Sequence, residues 1–450
     1  MKSTFGGVSA ARPAWNAAEP AESRMDLAKV RRLQLMSGAS IAEATATVTA
    51  VAGPCFRVAA VLLAAAMAAA SDDPVAALDR RLASGAAELR FDPKWGYLTS
   101  VLEELEVPLS SQVLVFSKTS AQFQWITPRN PRAIYFNDQT YVGWVPNAPV
   151  LEISTATAGG EVAFYTLRQR PVAKPRFVAD NGSCLQCHES FRTLGVPGHL
   201  TRSVFPAADG LPHFGHGTLN VDHSTPIANR WGGWFVTGRV GARHRGNAVG
   251  PEDRFDAFVA GSLARAPAGF FNPERYPTPF SDVVAHLVLA HQTRVHNSIA
   301  RAGHEARAAL AYQEQMERIF GESSESLVAS VRRRIEGPSE QLVRDLLLVG
   351  EARLDGPVSG LSGFAEEFQA RGVRDSRGRS LRELDLGSRL FRYPCSFLIR
   401  SAEYASLPER VRDYVESRLV EILAGTDDSG AFEHLGVADR SAIRELLATR

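Results

Sequence analysis

Apolar residues recur at helical spacing between residues 74 and 108. Ala76, Ala77, Leu78, Leu82 and Leu89 come first. Beyond Pro93 and Gly96, Leu98, Val101, Leu102 and Leu105 follow at i, i+3, i+4, i+7. The period then shortens to that of strands. Val113–Phe116, Phe123–Ile126, Ala133–Phe136, Tyr141–Val145, Val150–Ile153 and Val162–Leu167 are short runs rich in β-branched and aromatic residues. Pro128-Arg129-Asn130-Pro131, Pro146-Asn147-Ala148-Pro149 and Gly159-Gly160 punctuate them, and Asn137-Asp138-Gln139 reads as a hairpin connection. Arg230–Gly238, with Trp231 and Trp234, reads as one further strand with a glycine-marked bulge. From Ser281 the helical period returns in Val284, Leu287, Val288, His291, Val295 and Ile299. Further helices are predicted over 306–320, 324–335, 338–350, 381–392, 408–424 and 438–449, with breaks at Gly321, Gly337-Pro338, Gly356-Pro357 and Gly425.

This pattern predicts an α+β fold in four segments. Residues 1–70 are an N-terminal extension and signal peptide, 71–240 a β-rich domain, 241–280 a Gly-, Pro- and Arg-rich linker or long loop, and 281–450 a helical domain. The export signal is Arg57 followed by an apolar run from Val58 to Ala70 and a polar start at Ser71-Asp72-Asp73. That run is too short to span a bilayer comfortably, so no stable span is expected after cleavage, which is most natural after Ala70. Cys55 precedes the run and makes no lipid-attachment site. Met25 and Met36 are alternative starts. A formal net charge of +1 over 450 residues gives no reason to expect nucleic acid as a partner.

Within the expected β-rich domain stands Cys184-Leu185-Gln186-Cys187-His188. Two thiols three positions apart with a histidine directly after them is the pattern of covalent haem c attachment. The thiols add across the haem vinyl groups, and the histidine is held against the ring as proximal iron ligand. The competing reading is half a zinc site, which wants a second Cys pair or an H-x3-5-H. The chain has 4 cysteines, and the others, Cys55 and Cys395, stand alone. Cys395 is expected to be a buried free thiol.

The second axial position decides between electron transfer and small-molecule chemistry. Met316 sits among charged and polar residues and reads as a helix edge. Among the histidines the order of preference is His223, His291, His199, with an open or water-bound site as the alternative. His213, His216 and His244 lie in the same loops. His286, His291 and His296 lie on one predicted helix, but steps of five residues turn it by about 140°, so they share no face. Arg192, Arg202 and Arg230 are candidate partners for haem propionates. Trp231 and Trp234 are candidates for packing on the porphyrin edge.

The run from Asn181 to His188 with Leu194-Gly195-Val196-Pro197-Gly198 resembles a family of uncharacterised, exported mono-haem c-type cytochromes of environmental bacteria. The resemblance extends to Asp222-His223, Arg230-Trp231-Gly232-Gly233-Trp234, His291-Gln292-Thr293, His296-Asn297 and Arg392-Tyr393-Pro394-Cys395-Ser396. It covers roughly residue 110 onward and implies haem binding and electron transfer, with nothing about a substrate. The expectation is a periplasmic protein with one covalent haem c, exchanging single electrons with a periplasmic redox partner. The alternatives are a peroxidase-like oxidoreductase with an open distal site, or a haem-based redox or gas sensor.

Overall fold

The computed structural model describes residues 73–157, 160–263, 271–321 and 323–449, which fall in one compact unit. The expected extension and signal peptide lie outside the described residues. Two short helices come first, α1 (Pro74–Ser84) and α2 (Leu98–Glu104). An antiparallel meander follows: β1 (Val113–Val115), β2 (Arg132–Phe136), β3 (Thr140–Trp144), β4 (Val150–Ala156), β5 (Val162–Arg168) and β6 (Val178–Ala179). A single helical turn, α3 (Leu185–His188), leads into irregular chain holding the short strands β7 (Arg202–Ser203), β8 (Leu219–Asn220), β9 (Trp234–Phe235) and β10 (Arg239–Val240), then α4 (Phe255–Val259). The remainder is α5 (Val283–Phe320), α6 (Glu325–Leu346), β11 (Val358–Ser359), α7 (Phe364–Ala370), α8 (Ala402–Ala405), α9 (Glu409–Ala424) and α10 (Val437–Ala448). The main sheet has the order β6-β5-β4-β3-β2-β1-β9.

The sheet is covered on both faces, which is why β1 and β3 read as unbroken apolar runs. Leu114, Ala133, Tyr135, Val142, Trp144, Leu151 and Ile153 pack against Val75, Leu78, Leu98 and Val101 of α1 and α2. The alternate residues Val113, Val115, Phe136 and Tyr141 share a core with Val283, Val284, Leu287, Val288 and the helices beyond. Sheet and helices therefore build one continuous interior across the expected domain boundary. Among the described residues no helix is long and apolar enough to cross a membrane.

Several predicted elements differ. Asp282, not Ser281, caps α5, its Oδ1 accepting from the Val284 and Ala285 N–H groups, and the helix runs 38 residues to Gly321, fusing two predicted helices. The Gly337-Pro338 break is absent, since α6 continues through Pro338. The carbonyl that Pro338 leaves without a partner belongs to the exposed Arg334. Val331, Ile335, Leu342, Val343 and Leu346 are buried and keep the helix whole. The predicted helix 381–392 is irregular because the Asp385 carboxylate accepts from Gly387 N and Ser388 N and folds a turn there. Phe123–Trp125 is a 3-10 turn rather than a strand. The tryptophan strand shrinks to Trp234–Phe235, with the Gly233 carbonyl accepting from Phe116 N and Ser117 N.

Candidate functional site

The Cys-x-x-Cys-His segment forms one turn of helix. The Cys184 carbonyl accepts from the N–H of Cys187 at 3.2 Å and of His188 at 3.0 Å. Asp180 opens the turn, its Oδ2 accepting from Gly182 N and Cys184 N, both at 2.9 Å. Three residues apart on a helix, the two thiols lie on one side of it. Both are free; Cys184 is half-buried and Cys187 exposed. Burial, with Asp180 beside it, pushes the Cys184 thiol up to about 11.

His188 is fixed by the chain that returns over the turn. Its Nδ1 lies 2.8 Å from the Gly198 carbonyl oxygen, and its own carbonyl accepts from Gly198 N at 2.8 Å. A carbonyl only accepts, so Nδ1 carries the proton and Nε2 keeps a free lone pair. Burial holds the imidazole below its ordinary pKa, so it is neutral near pH 7. Its ring centre stands 5.0 Å from that of Phe164 on β5.

The next residue anchors the loop to α5. The Asn297 carboxamide grips the His199 peptide at both ends, Oδ1 accepting from His199 N and Nδ2 donating to His199 O, each at 2.9 Å. A Cβ on Gly198 would stand 2.4 Å from Asn297 Oδ1, so this position holds glycine. The ring of His199 is 4.0 Å from that of Tyr141, and its Nε2 meets Ser154 Oγ at 3.0 Å.

Below the turn the sheet face is charged. Arg132 on β2 reaches Glu152 on β4 at 2.7 Å, passing over β3 at Gly143, where a Cβ would stand 2.2 Å from the guanidinium. Arg132, Arg202 and Glu152 all act electrostatically on His188. Arg202 is also an electrostatic neighbour of Cys187 and donates to Thr119 O at 3.3 Å. Beside the turn, Phe191 is 80 % exposed, with the Arg192 guanidinium 4.8 Å from its ring centre.

The other sequence-derived candidates have partners elsewhere. His223 and His291 are buried with their Nδ1 atoms 3.3 Å apart, and His291 Nε2 meets Ser396 Oγ at 2.8 Å. Both nitrogens of His291 are thus engaged, and His223 keeps only Nε2. Arg230 is buried, donating from Nε to Thr225 O at 2.7 Å and from Nη2 to His223 O at 3.1 Å. Trp231 packs on His244 and His286, with ring centres 5.1 and 6.0 Å apart. Trp234 Nε1 donates to Arg202 O at 2.6 Å. Met316 is half-buried on α5, and Cys395 is fully buried, its thiol pushed up to about 12.

The donor set fits a haem better than a zinc ion. Among the described residues no group of three or more His, Cys, Asp or Glu could hold a metal, whereas a haem brings four ring nitrogens and asks the chain for axial ligands and thiols. Phe164, Gly143, Gly198 and Asn297 were not legible as site residues. Asn297 and Gly198 carried a signal, through the His296-Asn297 pair and the Leu194-Gly195-Val196-Pro197-Gly198 run. Compared with family models, with curated proteins and with solved structures, the chain matches none.

Proposed function

We infer that the chain is an exported mono-haem c-type cytochrome. It carries one covalent haem through Cys184 and Cys187, with His188 as proximal ligand, and passes single electrons to a periplasmic partner protein. The observation that supports this most is the His188 ring, whose Nδ1–H is committed to Gly198 O while Nε2 is left free. A histidine ligating a metal characteristically donates its other ring N–H to such an acceptor. When bound, the haem supplies an Fe(III)/Fe(II) couple. The chain's own work is positional. Asp180 holds the helical turn, Asn297 fixes the loop whose carbonyl orients His188, and the exposed Phe191 offers apolar cover next to the turn. The guanidiniums of Arg132 and Arg202 add positive charge near the site.

One observation favours a second reading, an oxidoreductase with an open distal position: both nitrogens of His291 are already bonded, and one of His223 is. The test is production with a cytochrome c maturation system. Haem should stay with the denatured chain, and Cys184→Ser with Cys187→Ser should abolish this. A wild-type chain that loses its haem on denaturation defeats the proposal. Spectra with cyanide and carbon monoxide separate the readings, since a six-coordinate iron inert to both excludes the open site.

A further inference from the structure

The hairpin of α5 and α6 outruns the core that supports it. The last buried residue of α5 is Ala309, and the first of α6 is Val331. Leu310–Phe320 therefore extends α5 by about 16 Å beyond its last buried residue, at about 1.5 Å per residue. Large apolar side chains stand exposed there: Tyr312 is 44 %, Ile319 59 % and Phe320 75 % exposed. Tyr312, Met316 and Ile319 are spaced i, i+4, i+7, so they form one row along the helix. An ion pair places that row relative to α6. Arg334 Nη2 lies 3.6 Å from Glu305 Oε2. Tyr312 is two turns beyond Glu305 on α5, and Leu327 is two turns before Arg334 on α6. Both rows therefore line the same side of the hairpin. The α6 row is small and uncharged, with Ser326 and Ser330 flanking Leu327. Glu305 and Arg334 close the face at its base and neutralise each other.

Contiguous exposed apolar surface marks a binding face. A lipid surface suits this one poorly. Between residues 310 and 330 Arg318 is the only cation, against Glu314, Glu317, Glu322 and Glu325, and a membrane-seated helix wants the opposite balance. A charged partner protein finds no charge on the two rows to pair with. A second copy of the chain finds complementary shape. The Tyr312–Ile319 row is bulky, the Ser326–Ser330 row is small, and each copy has both. A two-fold axis can set the bulky row of each copy into the small row of the other. We propose that two chains associate through this face of the α5–α6 hairpin. With helix axes about 10 Å apart, the face measures about 16 Å by about 20 Å. That is small for a permanent interface, so the dimer is weak and dissociates in the micromolar range. The proposal is independent of the haem.

Sedimentation velocity of the full chain from about 1 to about 200 µM tests it. The sedimentation coefficient should rise with concentration as monomer gives way to dimer. Ile319→Glu should raise the dimer Kd at least about hundredfold. Two-fold symmetry brings the substitution into the interface twice, at about tenfold for each charge taken out of water. Tyr312→Glu should do the same, so the test survives if one variant fails to fold. Val437→Glu, at an 84 % exposed apolar position on α10, should leave the dimer intact. A wild-type chain that stays monomeric at the highest concentration overturns the proposal. If it then co-sediments with phosphatidylethanolamine vesicles the face belongs to a lipid surface, and if it does not the face belongs to another protein. Folded Ile319→Glu and Tyr312→Glu variants that dimerise like the wild type, or loss of the dimer in Val437→Glu, also overturn it.

Discussion

Asn297→Leu is the most informative single change. Leucine keeps the approximate shape of the side chain and removes only its hydrogen-bonding groups. Two bonds of 2.9 Å vanish together, and the His199 N–H and C=O are left in a buried region with no replacement. Each unsatisfied buried peptide group costs about 1–3 kcal/mol, so the variant should lose about 2–6 kcal/mol of stability. Against a typical total of about 5–15 kcal/mol this is a large fraction, read as a lower midpoint in urea with unchanged slope. The same change frees the Gly198 carbonyl that orients His188, so in the haem-loaded chain the Soret band and the reduction potential should both move. A loss below about 0.5 kcal/mol would show that the Asn297 bridge carries no weight. A large loss of stability with an unmoved spectrum and potential would refute the link between bridge and His188.

Other outcomes follow from the geometry. Asp282→Ala removes the cap of α5 together with the acceptor for Leu361 N and Ser362 N, so a loss of about 2–4 kcal/mol in urea unfolding is expected. His286 is buried with its pKa lowered to about 4, so the unfolded chain takes up the proton first. Its contribution is complete above about pH 6.5 and is lost as pH falls, costing about 2 kcal/mol between pH 7 and 5. His286→Gln should lack that part of the pH slope, and identical slopes for the two proteins would exclude it. Cys395 is fully buried with a raised pKa, so it should resist thiol reagents in the folded protein and react on unfolding.

Much of the framework was legible because one period dominates each segment. Strands β2 to β5 and helices α1, α2, α9 and α10 stand close to their expected places. The misses come from side chains overruling the period. Asp385 binds backbone N–H groups and turns a helical pattern into a loop, and packing around Ile335 and Leu342 carries α6 through a proline. Because Leu114 and Val113 face opposite helical layers, the interior joins segments that composition separates. At the site, the thiols and His188 were readable from spacing alone. Their supports were not, because Asn297 lies 98 residues beyond His199, and spacing does not show that the Gly198 carbonyl and the Phe164 ring meet His188. His223 and His291 meet each other in the interior, their Nδ1 atoms 3.3 Å apart, a pairing that spacing in the sequence did not show.

The edge pairing of β9 with β1 has a kinetic consequence. The six strands of the meander join neighbours in sequence, so their contacts form locally and early, whereas Leu114 must find Phe235 about 120 residues later. Closing so large a loop is entropically costly, which makes it a late event. The turn bearing Cys184 and Cys187 lies inside that loop. Until that edge docks, the stretch from β6 to β9 that carries the turn is tied to the meander at one end only, so its packing against α5 through Asn297 and His199 belongs to the last stage of folding.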